Sequence, residues 1–146
     1  GSFGHGYTYS GHPVPAAVAV ETLKIYEEMD LIAGVRQRSR IFQERLHHFA
    51  DHPLIGETMG LGLVGAVELV ADKDTRQPFE PAATVGPWLV AQAQKRGLII
   101  RAMGDRVAFS PPLIISDAEI GEMFDRFGEA LAVTAEAAAS GAFTGN

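Results

Sequence analysis

Two histidines, two tyrosines, a threonine and a serine are crowded into His5-Gly6-Tyr7-Thr8-Tyr9-Ser10-Gly11-His12-Pro13, and an apolar run over residues 14–20 follows at once. Hydroxyls and backbone N–H groups in a loop that ends where a helix starts are the makings of an anion site, because neutral donors converge while the helix end adds partial positive charge. A second candidate is Arg101, set in the apolar run Leu98-Ile99-Ile100-Arg101-Ala102. A guanidinium there must be solvated at a strand edge, paired with an acid, or turned toward a cavity where its fork can grip a carboxylate.

Two other patterns are better explained without chemistry. Gly60-Leu61-Gly62-Leu63-Val64-Gly65 has GxGxxG spacing, but a dinucleotide site needs a helix after it and an acid about 20 residues on. Here residues 66–70 read as a strand, and Thr84-Val85-Gly86 stands where the acid belongs, so the segment is a glycine-relaxed strand. His48 and His52 would share a helical face, with His47 beside them, but Pro53 ends that helix. They read as solvated helix-end histidines, favoured there by the helix dipole. No nucleophile elbow frames Ser110-Pro111-Pro112, and no metal site is expected.

The elements that must position these residues alternate between helix and strand. Pro13 suits a first helical turn, and Ala16-Ala17-Val18-Ala19-Val20 is apolar on every side. The helical pattern continues through Val35, Phe42, Leu46 and Phe49, with a joint around residues 30–34 and an end at Pro53. Residues 66–70 form a short buried strand, and residues 72–81 a polar loop. A helix is expected over residues 83–96, stopped by Gly97. Strands over residues 98–102 and 106–110 flank a Gly104-Asp105 turn. Ser116-Asp117-Ala118-Glu119 has capping-box spacing, and Ile120, Met123, Phe127, Leu131 and Thr134 line one face of a last helix. Residues 140–146 are expected to fray. The fold class is α/β (α+β): a long first helix leading into a small domain in which helices cover a short, largely antiparallel sheet. The divisions fall at residues 1–13, 14–52 and 53–146.

Composition narrows the partners. The 146 residues are 47% hydrophobic and 21% charged, enough for one ordinary core. A net charge of −6 argues against nucleic acid or an anionic membrane surface. The one dense basic run, Arg36, Arg38, Arg40 and Arg45, follows a helical pattern and reads as a solvated face. Cysteine is absent, which excludes disulfides and thiolate metal sites and fits a cytoplasmic setting. No apolar run reaches membrane-spanning length.

Three segments in order, FGHGYTYSGHPVPAAVAVETL, MGLGLVGAVEL and GLIIRAMGDRVAFSPPLIISDAEI, resemble the C-terminal part of class III aminotransferases, particularly the omega-amino-acid:pyruvate type. These are pyridoxal-phosphate (PLP) enzymes of fold type I. The resemblance covers essentially the whole chain. It implies that residues 1–13 are a cofactor-phosphate loop left from a large domain, that residues 14–52 are an interdomain helix, and that the active enzyme is a homodimer. Thr8 matches the threonine whose hydroxyl and N–H reach the phosphate held by the partner subunit, and Tyr7 the aromatic residue before it. Arg101 resembles the arginine that binds a substrate carboxylate and swings aside for an apolar group. His5, Ser10 and His12 match the motif as residues that shape the loop.

Transamination also needs a lysine to hold the cofactor covalently and move a proton, and an acid opposite the pyridine nitrogen. In the family both lie in the large domain. None of Lys24, Lys73 and Lys95 matches that lysine, so no catalytic residue is assigned to this chain, and alone it is expected to be inactive. The resemblance thus implies a segment of a transaminase moving an amino group from an amine or omega-amino acid to a keto acid such as pyruvate, with the large domain and a second subunit as partners. Aminomutase or decarboxylase chemistry on the same scaffold, or a stand-alone binding or oligomerisation module, are the alternatives. The all-apolar first helix further predicts association in solution.

Overall fold

The computed structural model describes residues 1–143, which separate into two compact units, residues 1–33 and the residues from Gly34 onward. The first holds the N-terminal loop and helix α1 (Pro13–Glu28). Alanine supplies propensity and Pro13 fixes the first φ angle, while Asp30 takes φ 44° and ends the run. Helix α2 (Leu31–His47) follows directly, so the sequence-predicted joint falls at Asp30. The regular α-helix stops at His47, and a 3-10 turn over His48–Asp51 completes the segment expected to run to residue 52.

The second unit is a four-stranded antiparallel sheet with helices on one face. Strands β1 (Ile55–Leu61) and β2 (Val64–Leu69) form a hairpin, so the GxGxxG segment is strand, turn and strand. Helix α3 (Val85–Lys95) leads into β3 (Arg101–Met103) and β4 (Arg106–Phe109), and helix α4 (Asp117–Ala139) closes the fold. The strand order is β1-β2-β4-β3. This mixed architecture is the fold class expected from the sequence.

The core lies between the sheet's inner face and the helices. Phe42 and Leu46 of α2 press on β2, where a Cβ at Gly65 would come within 2.6 Å of Leu46 Cδ2. Phe109, Phe124 and Phe127 are buried with Phe42, and Phe109 and Phe127 meet edge to face at 4.9 Å. Such pairs contribute about 0.5–1.5 kcal/mol each beyond the burial of their surface. Ser116 and Glu119 form the capping box that starts α4. No helix among the described residues is long and apolar enough to cross a membrane.

Four local expectations are corrected. Residues 98–100 do not pair as strand, because Leu98 N–H is taken by the Ala93 carbonyl in closing α3 at Gly97 (φ 75°). Helix α3 begins at Val85 rather than residue 83, because Ala83 has φ 62° and cannot be helical. Residues 140–143 do not fray: the Ala142 N–H bonds the Ala137 carbonyl, and the Phe143 ring packs on Phe79 and Trp88. The same expectation for residues 144–146 lies outside the described residues. Finally, the basic run is not uniformly a solvated face. Arg38 is half-buried and its Nη2 donates to the Leu113 carbonyl at 2.9 Å, while Arg45 pairs with Asp125 across helices at 3.2 Å.

Candidate functional site: an anion loop and an unpaired arginine

In the N-terminal unit, Tyr7-Thr8-Tyr9-Ser10 forms a turn closed twice. Ser10 N–H donates to the Tyr7 carbonyl at 2.9 Å, and Tyr7 N–H returns to Ser10 Oγ at 2.9 Å. Thr8 and Tyr9 occupy the two corner positions. Among the described residues, neither their N–H groups nor the Thr8 hydroxyl has a hydrogen-bond partner. The turn therefore presents three neutral donors, which is what a phosphate dianion accepts. Tyr7 is committed through its backbone, so only its exposed ring and phenol are available to a ligand. His5 meets that ring edge-on at 5.0 Å.

The helix end expected to assist contributes no free donor. Pro13 and Pro15 have no N–H, His12 Nδ1 accepts the Val14 N–H at 3.3 Å, and Ala16 N–H reaches the His12 carbonyl at 3.2 Å. Two prolines and a capping histidine close the first turn, so the uncommitted donors are those of the turn at Thr8 and not those of the helix terminus. Both prolines were visible in the sequence and could have shown this.

In the C-terminal unit, Arg101 lies on the edge strand with its side chain on the uncovered face of the sheet. Register places Arg101 beside Ala108, and Ala108 beside Ala66. Met103, Arg106, Glu68 and Glu57 share that face at its other end. The two arginines of the hairpin differ. Arg106 is held by Glu68 at 2.9 Å, whereas Arg101 has no carboxylate partner among the described residues. It lines an open cavity of about 460 Å³ whose other walls are mostly apolar, among them Ile99, Met103, Phe109 and Met123, with Ser110 as the one polar neighbour among the described residues. A charged fork over apolar walls suits a small carboxylate with an apolar remainder.

The remaining candidates are occupied structurally. His47 Nδ1 meets Thr58 Oγ1 at 2.8 Å, His48 stacks edge-on with Phe49, and His52 Nδ1 accepts the Leu54 N–H at 3.2 Å. No group of three or more potential ligands able to hold a metal occurs among the described residues. Lys24 pairs with Glu21, Lys95 reaches Gln92, and Lys73 donates to the carbonyls of Ala50 and His52. Sequence reasoning missed Asp105, whose carboxylate accepts N–H groups at the start of α3.

The chain belongs to the class-III aminotransferase family, whose model matches residues 1–131. It is 45% identical over 136 residues to a probable gamma-aminobutyrate transaminase 3, mitochondrial, of Oryza sativa subsp. indica, covering 93% of this chain and 27% of the relative. It is 46% identical to the chloroplastic gamma aminobutyrate transaminase 3 of Solanum lycopersicum, covering 90% and 25%. A thermostable 4-fold mutant omega transaminase from Pseudomonas jessenii superposes with a TM-score of 0.86 at 47% identity, covering 94% of this chain and 30% of that one. The omega transaminase from the same organism in complex with PMP gives 0.85 at 48%, covering 91% and 29%. The chain thus spans about a quarter to a third of the length of the proteins it matches.

Proposed function

We propose that this chain is the part of a PLP-dependent transaminase that supplies a phosphate clasp and a substrate-carboxylate clamp, in an enzyme moving an amino group from an amine or omega-amino acid to a keto acid such as pyruvate. The observation that carries the reading is the contrast within one hairpin, where Arg106 is neutralised by Glu68 and Arg101 is left facing an apolar-walled cavity. The gamma-aminobutyrate and omega transaminase relatives support a donor whose amino group is distant from its carboxylate.

The cofactor, when bound, supplies the electron sink that makes the amino group transferable. This chain's residues hold and orient. Thr8 donates its N–H and hydroxyl to the cofactor phosphate, with the Tyr9 N–H as a third donor. The exposed Tyr7 ring and phenol would be available to the same group, and neutral donors of this kind suit a phosphate. Arg101 binds the carboxylate of the amino acid or keto acid and, by rotating its long side chain over the Ile99 and Met103 surface, makes room for an apolar substituent. The lysine and the acid that complete the chemistry come from a large domain, and the phosphate belongs to the partner subunit's site. None of Lys24, Lys73 and Lys95 is the cofactor lysine on this reading, and the chain alone is expected to be inactive; each of the three bonds a surface acceptor.

The test is the complete enzyme with Arg101→Ala. KM for a donor carrying a carboxylate should rise about 10- to 100-fold, matching about 1.5–3 kcal/mol for a charge-assisted contact, while an amine without a carboxylate is unaffected. Equal KM values before and after the substitution would sink the assignment. For the chain alone, borohydride reduction with PLP should give no single stoichiometric lysine adduct and no turnover.

A further inference from the structure

Edge strand β3 is held at both ends by one helix. Ahead of the strand, α3 closes with Gly97 N–H on the Gln94 carbonyl and Leu98 N–H on the Ala93 carbonyl, both at 3.0 Å, and Arg126 Nη1 fixes the Gly97 carbonyl at 3.0 Å. Behind it, in the turn that joins β3 to β4, the Asp105 carboxylate reaches back to the start of the same helix. Its Oδ2 accepts the Ala83 N–H at 2.9 Å, and its Oδ1 accepts those of Val85 at 3.0 Å and Gly86 at 2.8 Å.

Early N–H groups of a helix have no intrahelical partner, and an acid there also meets the positive end of the dipole. The local candidate for that task is Thr84, but its hydroxyl is spent on the Pro81 carbonyl. The cap therefore comes from the hairpin. Asp105 is committed through its backbone as well, since its carbonyl accepts the Leu69 N–H of β2 at 2.9 Å. The approach is close enough that a Cβ on Gly86 would overlap the Gly104 carbonyl oxygen. One residue thus ties helix, turn and central sheet together. Among the described residues β3 pairs only with β4, over three residues, so what fixes its ends bears on the pose of Arg101.

We propose that Asp105 is the positioning residue for Arg101: by capping α3 from the hairpin turn it fixes the edge strand at the angle from which the guanidinium meets a substrate carboxylate, and so sets the preference for carboxylate-bearing substrates. The proposal rests on the reading of Arg101 given above. Bidentate recognition demands a fixed approach direction, and a displacement of about 1 Å in a positioning group can cost on the order of 100-fold. Without the Asp105 carboxylate, the N–H groups of α3 turn to water, and the turn keeps its backbone bond to Leu69 but loses its tie to the helix. Arg101 still carries its charge but no longer a fixed direction.

The experiment compares Asp105→Ala, Asp105→Asn and Arg101→Ala in the complete enzyme, with one donor carrying a carboxylate and one amine lacking it. Asp105→Ala is expected to raise KM about tenfold for the first donor alone, with kcat and the second donor within twofold, and Asp105→Asn, which keeps an acceptor oxygen, to fall between. In the 146-residue chain, β3 amides should exchange faster in Asp105→Ala while those of α4 do not change. Equal effects on both donors, or none on either, overturn the proposal. If Arg101→Ala itself fails to separate the donors, the carboxylate reading falls first. If it separates them and the Asp105 variants do not, the positioning role alone is refuted. Should Asp105→Ala not fold, the Asparagine variant decides by the same criteria.

Discussion

Both units of the chain are rich in apolar residues, but in the first only Leu31 is buried, while the second buries a whole core. Helix α1 has no buried side chain, and Val14, Val18, Leu23 and Met29 are each more than half exposed (64, 62, 62 and 56%). The second unit turns the same kinds of residue inward, around Phe42, Phe109, Phe124 and Phe127. A helix of 16 residues without packing is marginal in water, so α1 is held by alanine propensity and a cap, whereas the second unit is held by its core. An apolar surface with no partner in its own unit is made for another surface. Under the function proposed here, that surface belongs to the large domain and the second subunit, the same bodies that complete the phosphate site at Thr8.

The sharpest test of the contrast is to shave both regions alike. Phe127→Ala, which removes a buried ring in contact with Phe49 and Phe109, should cost about 3–5 kcal/mol in denaturant unfolding. Val18→Ala should fall within about 0.5 kcal/mol of wild type. A comparable loss at Val18 would show that α1 is packed in solution and abolish the distinction. Added volume gives a smaller version of the same test. Gly86→Ala drives a methyl into the hairpin backbone and should cost about 1–3 kcal/mol, while Gly6→Ala, with nothing within 4 Å of its Cβ position, should cost nothing measurable in the same thermal melt.

Caps supply the next step down. Ser116→Ala should cost about 1 kcal/mol by removing the α4 capping box. The box carries a pH signature. Glu119 accepts the Ser116 N–H and then its hydroxyl, and these bonds hold its carboxyl below the ordinary carboxylate range. A lowered folded pKa means the unfolded chain binds the proton more readily. The contribution is therefore complete above the ordinary value of 4.5 and is lost as pH falls through the lowered one. Denaturation curves from pH 6 to 3 should show wild type losing more stability toward the acid end than Glu119→Gln, whose side-chain oxygen accepts the Ser116 N–H without titrating.

What the sequence could disclose follows from the range of the interactions. The Ser116–Glu119 box, the Gly97 stop and the Gly104-Asp105 turn are set by bonds within a few residues, and each was legible. So was the α1–α2 joint. The Asp105 cap spans 19 to 22 residues, and only folding brings its partners together. Phe143 was hidden for the same reason: its partners, Phe79 and Trp88, lie far back in the chain, so a terminal Gly-Ala-Phe read as fraying. For the site, residue types indicated an anion loop and left Arg101 three readings, and the family resemblance supplied the phosphate and the carboxylate; neither disclosed that the helix end was closed by Pro13, Pro15 and His12, nor that Arg106 would take Glu68 and leave Arg101 without a carboxylate partner.

The smallest predicted effect concerns a histidine of the packed unit. His52 sits where the 3-10 turn meets β1, and its Nδ1 lone pair accepts the Leu54 N–H at 3.2 Å. Partial burial, and then the Lys73 ammonium bonded to its carbonyl, lower its pKa from the ordinary 6.5. The folded state thus prefers the neutral ring. Stability from this residue is fully present above pH 6.5 and declines as pH falls through the lowered folded value, because the unfolded chain takes up the proton first. Protonation also converts Nδ1 from acceptor to donor, opposing the Leu54 N–H. Urea midpoints measured at pH 7.5 and 5.5 should fall modestly in wild type and less in His52→Asn, whose side-chain oxygen can accept the same N–H without titrating. A Lys73→Gln change should narrow the gap by removing the like charge. If His52→Asn keeps the whole drop, the loss arises elsewhere in the C-terminal unit.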